Sequence, residues 1–220
     1  YCRNCQASFT AAPSTTPSYP IVDPYGDHAL CCTRSVPYRT IYWHDPLRDV
    51  YALIGRIVGL RTRKEVSGMF PDNSKRPDVV FTSDAGHEIV TDVITCCPVT
   101  MSATSNKCAH SATTIGAANA FGIASKNNAW KSSLADLPHE FYALAHEPGR
   151  ISDTANNLLD NLINRLHPND RPRLRTYCYQ LIAATTTLGV ARVIRACLPI
   201  RCDSSNRVLP TPGDAIPSNG

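Results

Sequence analysis

Between Arg76 and Thr95 apolar and polar residues alternate along the chain, in the run RPDVVFTSDAGHEIVTDVIT. An extended backbone puts Asp78, Val80 and Thr82 on one face of a first segment and Val79 and Phe81 on the other. In a second segment Val90, Asp92 and Ile94 share a face, and Asp84-Ala85-Gly86 between the two is a turn sequence. The stretch therefore predicts a β-hairpin. Upstream the period changes: Leu47, Val50, Tyr51, Ile54, Ile57 and Val58 recur at helical spacing, with Asp45 placed to cap and Pro46 at the first helical position. The polar stretch between Leu60 and Pro77 predicts a short strand near Glu65-Val66-Ser67. Residues 99–125, rich in Ala, Ser, Thr and Asn, predict a loop that runs into a helix over 117–134. Glu140–His146 predicts another strand, closed by Glu147-Pro148-Gly149. Leu158, Leu159, Leu162, Ile163 and Leu166 stripe one further helix, and Leu174, Tyr177, Cys178, Leu181, Ile182, Leu188 and Val193 mark another over 172–197. The predicted order, α-β-β-β-α-β-α-α, is that of a mixed α/β domain with added helices.

With 220 residues, 43% of them hydrophobic, the chain can bury the core of one domain and carry an appendage. No apolar run approaches the roughly 18 to 20 residues of a membrane span, so no membrane partner is expected. The start at Tyr1 shows no signal peptide and reads as an excerpt from a longer polypeptide. Ten cysteines raise a disulfide framework, but a chain of this size does not need one. Cys96, Cys97, Cys178 and Cys197 sit in core-like runs where free thiols act as small hydrophobes, so a reducing, intracellular setting is expected. The net charge of +4 is a mild bias toward anionic partners. Residues 6–20 read as a flexible Pro/Ser/Thr/Ala insert within an N-terminal element (1–34), residues 35–202 as the ordered domain, and residues 203–220 as a disordered tail.

Two clusters carry chemistry. A hairpin brings Asp78, preceded by Pro77, and Asp92 together beside an apolar sheet, although 13 residues separate them in sequence. Paired carboxylates repel unless a cation lies between them, and hard oxygens suit Mg²⁺ or Mn²⁺; two solvated surface aspartates are the alternative. Cys2 and Cys5 form a CxxC, and His28 with Cys32 an HxxxC, which together are a ligand set for structural Zn²⁺. Cys31 competes for the fourth position, and a set of unmetallated thiols is the alternative.

Taken in order, these features resemble the C-terminal region of site-specific non-LTR retrotransposon proteins, where a Cys-Cys-His-Cys zinc knuckle precedes a restriction-like endonuclease of the PD-(D/E)XK type. PYGDHALCC resembles the second half of that zinc element and favours Cys32 over Cys31. WHDPLRD resembles the helix start before the nuclease core. KNNAW resembles the Lys-x-x-Lys-Tyr helix after the last acidic strand, with Ala129 and Trp130 replacing the second Lys and the Tyr. EFYALAHEPGR resembles the next strand and its exit. The resemblance implies a restriction-endonuclease-like αβββαβ core with a mixed sheet, an N-terminal zinc element held by Cys2, Cys5, His28 and Cys32, and extra C-terminal helices. It implies hydrolysis of a DNA phosphodiester with Mg²⁺ (or Mn²⁺) on Asp78 and Asp92, the Val93 carbonyl being a further ligand candidate. The superfamily's usual lysine position is Ile94 here, and the retrotransposon group moves that role to the helix, onto Lys126. His44, Arg61, Arg63, Lys64, Lys75 and Arg76 are the expected DNA contacts, with a solvated basic face as the alternative. The implied task is nicking target DNA to prime reverse transcription, in the nucleus, with an upstream reverse transcriptase region of the same polypeptide and the element RNA as partners. Two other readings stay open: a decayed nuclease that only binds DNA, suggested by Ile94, Ala129 and the altered WHD, and a disulfide-rich extracellular interaction protein.

Overall fold

A computed structural model describes residues 27–70, 75–98, 114–134 and 139–197. Cys2, Cys5, the insert 6–20 and the tail 203–220 lie outside these residues. The elements are α1 (Asp27–Cys31), α2 (Val36–Arg39), α3 (Asp45–Ile57), β1 (Arg61–Lys64), β2 (Val79–Thr82), β3 (Glu88–Thr95), α4 (Ala117–Leu134), β4 (Glu140–Glu147), β5 (Arg150–Ile151), α5 (Asp153–Ile163) and α6 (Arg171–Cys197). One sheet runs in the order β1-β2-β3-β4-β5. β1, β2 and β3 are antiparallel neighbours, β4 lies parallel to β3, and β5 turns back antiparallel. A parallel pair needs a crossover, and α4 is the helix that makes it. The chain is thus mixed α/β around a five-stranded mixed sheet.

Alternation along the strands divides two layers. Val79, Phe81, Ile89, Val93 and Leu144 join the main core with Leu47, Tyr51 and Ile54 of α3, Leu158, Leu159 and Leu162 of α5, and Cys178 and Ile182 of α6. Intervening residues pack on α4: Val90 with Trp130, Phe70 and Phe141, and Ile94 and Cys96 with Ala118, Ile123 and Ala145. Asp78, Val80, Val90 and Asp92 belong to this second face, because Val80 stands opposite Val90 in the register.

Three sequence expectations are corrected. The first strand lies at Arg61–Lys64 rather than at 65–67, because Glu65 turns to a φ of 48° and ends the extension. Asp45 does not cap α3: it is already helical (φ −61°, ψ −42°), and a π-helical turn over Thr40–His44 precedes it. In a regular α-turn the Pro46 ring would meet the carbonyl of Tyr42. The wider turn, closed by the Asp45 N–H on the Thr40 carbonyl, carries the chain past that clash. Gly189 of α6 seats this turn, since a Cβ there would stand 2.6 Å from the Tyr42 carbonyl oxygen. The third correction concerns thiols. Cys97, expected as a free core thiol, is joined to Cys31 in a disulfide that links α1 to the end of β3. At a sequence separation of 66, only the fold brings the two together, and the bond removes part of the argument for a reducing compartment. Among the described residues no helix is long and apolar enough to cross a membrane.

Candidate active site

β2 and β3 bring the two aspartates into contact. The backbone of Asp78 is held on both sides: its N–H donates to Thr91 O (3.1 Å), and its carbonyl accepts from Glu65 N (3.1 Å). Its Oδ2 accepts from the Val93 N–H at 2.7 Å, so the side chain reaches across to β3. Asp92, one residue before Val93, points to the same face, and the two carboxyl groups lie close enough that each shifts the titration of the other. Both are buried, 9% and 5% exposed, which rules out the alternative of two solvated surface acids.

Each acid is held from outside the sheet as well. His44, at the end of the π-turn, places Nε2 3.2 Å from Asp78 Oδ2 and Nδ1 3.0 Å from Asp45 Oδ1. Arg48 donates to the same Asp45 oxygen (3.1 Å), so a chain of contacts runs from Arg48 through Asp45 and His44 to Asp78. On the other side, α4 sends Lys126 Nζ to 2.8 Å and Trp130 Nε1 to 2.6 Å from Asp92 Oδ2. Each carboxylate therefore has Oδ2 occupied by two donors.

The charges follow from these neighbours. Burial, then the hydrogen bond and charge of Asp78, push Asp92 up to about 6 despite the opposing Lys126 ammonium. Burial works to raise Asp78 too, but the hydrogen bond from His44 leads a set of contacts that hold it below the usual carboxylate range. Burial alone would lower His44; its bonds to Asp78 and Asp45 outweigh this and raise it to about 9. Near neutral pH the site thus holds an imidazolium, an ammonium and two carboxylates. Two full negative charges about 4 Å apart repel by about 4 kcal/mol at an effective dielectric of about 20. Asp92 stays raised with both cations in place, first because it is buried and then because Asp78 is beside it. A proton or a small hard cation relieves the repulsion.

The donor set fits Mg²⁺ or Mn²⁺: hard oxygens, two carboxylates and no enclosing cage, as suits an ion that keeps several of its waters. Among the described residues no three His, Cys, Asp or Glu side chains converge on one point. Ile94, at the position where a lysine is usual, packs with Ala118 and Ala145.

The other expected site residues divide. His28 lies on α1. Cys32 is buried with Ala29 and Cys197, while Cys31 is bonded to Cys97; Cys2 and Cys5 fall outside the described residues. Of the basic side chains, Arg63 pairs with Glu88 and Lys64 with Asp49 (2.8 Å). Arg76 pairs with Glu65 (3.4 Å), and Lys75 donates to the Ala129 carbonyl and Ser133 Oγ. Arg61 is exposed, with no ion pair among the described residues. Four of the five would have to exchange a protein partner for a phosphate. Trp130 was legible in the sequence only as the residue replacing a Tyr. Its spacing of four from Lys126, which puts both on one helix face, was the signal for a second Asp92 contact. An open apolar groove of about 460 Å³ between Ile57, Leu166 and Tyr177 contains neither aspartate and no comparable set of charges.

Compared with known proteins, the sequence matches no family model and no curated protein.

Proposed function

We propose that this chain is a metal-dependent DNA endonuclease domain of the restriction-like, PD-(D/E)XK type, from a non-LTR retrotransposon protein. The observation that carries the reading is the buried contact between Asp78 and Asp92, with Lys126 on the second acid. The element order supports it, since α3-β1-β2-β3-α4-β4, with β4 parallel to β3, is the αβββαβ arrangement expected of such a core. Asp78 and Asp92 are the residues that would hold Mg²⁺ or Mn²⁺. When bound, such an ion lowers the pKa of a coordinated water and offsets charge on the phosphate. Lys126, whose ammonium lies 2.8 Å from Asp92 Oδ2, would orient the attacking water in place of the lysine absent at Ile94. His44, charged near neutral pH, faces the same acids and offers positive charge to a phosphate. The task is a nick in target DNA whose 3′-hydroxyl primes reverse transcription, with the polymerase upstream in the same polypeptide, the element RNA as a further partner and the nucleus as the place. A structural Zn²⁺ on Cys2, Cys5, His28 and Cys32 completes the proposal.

The test is nicking of supercoiled DNA with Mg²⁺ by the parent and by Asp92→Ala. Nicking that disappears in the variant supports the enzyme. Equal activity in both removes it, and DNA binding with no nicking in either leaves the decayed binding module.

A further inference from the structure

Asp92 Oδ2 receives two donors from one face of α4, and they differ in kind. Lys126 is partly exposed (38%), and its ammonium reaches Asp92 on a flexible stem. Trp130 is not. Its ring is 4% exposed, set edge-on to Phe70 at 5.2 Å and against Phe141 at 5.3 Å, with the Lys75 ammonium 5.8 Å from its centre. Phenylalanine would keep the aromatic contact in that cage but lose the volume of the second ring; beyond volume, what the indole adds is one donor at a fixed place. A buried N–H needs an acceptor, and this one is met by Asp92 itself at 2.6 Å rather than by a backbone carbonyl. Asp78 is anchored in the matching way, its Oδ2 taken by the Val93 N–H and His44. On both acids these donors converge on Oδ2, and none of them engages Oδ1.

We propose that Trp130 is a positioning residue of the site: its indole N–H, rather than Lys126, fixes the Asp92 carboxylate so that Oδ1 is presented opposite Asp78. Lys126 can then leave Asp92 for a water without loosening the acid. This rests on the nuclease reading for what the two oxygens hold. It predicts that a cation site depends on a tryptophan that never touches the cation.

Calorimetric Mg²⁺ binding tests it on four proteins: the parent, Asp92→Ala, Trp130→Phe and Trp130→His. The imidazole Nε2 stands at about the same reach from Cβ as the indole Nε1, so histidine can restore the donor. Binding is expected to vanish in Asp92→Ala, to weaken roughly tenfold in Trp130→Phe, the scale of one charge-assisted hydrogen bond, and to recover largely in Trp130→His. Circular dichroism and the unfolding midpoint of each variant report packing separately. Unchanged affinity in a folded Trp130→Phe, or failure of Trp130→His to recover while folded, overturns the role of Trp130 and leaves the nuclease reading intact. Mg²⁺ affinity that survives Asp92→Ala overturns both.

Discussion

Asp92→Asn tests the electrostatics of the site without any substrate. Burial and Asp78 push the Asp92 carboxyl up to about 6, whereas an unfolded aspartate titrates near ~3.9. The folded chain therefore binds this proton more tightly than the unfolded chain does. The associated stability is present below about pH 4 and is lost as pH rises through about 6. The shift corresponds to at most about 3 kcal/mol. Asp78, shifted downward, works in the opposite sense: its contribution is present above about pH 4 and lost below it. Asparagine keeps the shape of Asp92 but not its titration. In metal-free urea unfolding at steps from pH 4 to 7, Asp92→Asn should gain on the parent as pH rises, approaching that ceiling less the weakened bonds from Trp130 and Lys126. Added Mg²⁺ should then stabilise the parent at pH 7 and leave the variant unmoved. A parent-minus-variant difference that stays flat, or runs the other way, refutes the account of a strained acid pair.

Lys126→Ala should lower nicking by about 10²- to 10⁴-fold in a supercoiled-DNA assay, while circular dichroism checks that the variant, whose buried Asp92 has lost a charge partner, still folds. His44 is raised to about 9, so its stabilising contacts are complete below about pH 6.5 and lost as pH rises through 9. His44→Gln should flatten the fall in parent stability between pH 7 and 10, measured by denaturant unfolding. Gly189→Ala drives a Cβ to 2.6 Å from the Tyr42 carbonyl. It should cost about 1 to 3 kcal/mol in urea unfolding and reduce nicking through displacement of the turn that carries His44. Cys31→Ser should cost about 2 to 4 kcal/mol under oxidising conditions, and the difference should disappear with reductant present.

Much of the layout was legible because it rests on local period. The hairpin, its turn at Gly86 and the shared face of Val90, Asp92 and Ile94 follow from alternation, and the structure has them. The helix over 117–134 and the strand from Glu140 stand where the sequence placed them. What misled was competition with neighbours. Asp45-Pro46 has the chemistry of a helix start, but helical turns already run into it from Val36, and the π-turn absorbs the proline. For the basic residues the sequence did not show their protein partners, because the acids that pair with Arg63, Lys64 and Arg76, namely Glu88, Asp49 and Glu65, come from other elements.

The sequence by itself determined which residues could share a strand face or a helix stripe, since those depend on backbone geometry over a few residues. That includes the pairing of Asp78 with Asp92 across a short turn. Only the tertiary structure decided what surrounds them. Lys126 and Trp130 reach Asp92 from 34 and 38 residues away, His44 reaches Asp78 across 34, and Cys31 meets Cys97 across 66. Such contacts are set by how α4 crosses between parallel strands and how α6 receives the turn before α3. Burial and charge at the acids, and with them the pKa values that govern the chemistry, are properties of that packing, which a local pattern does not encode.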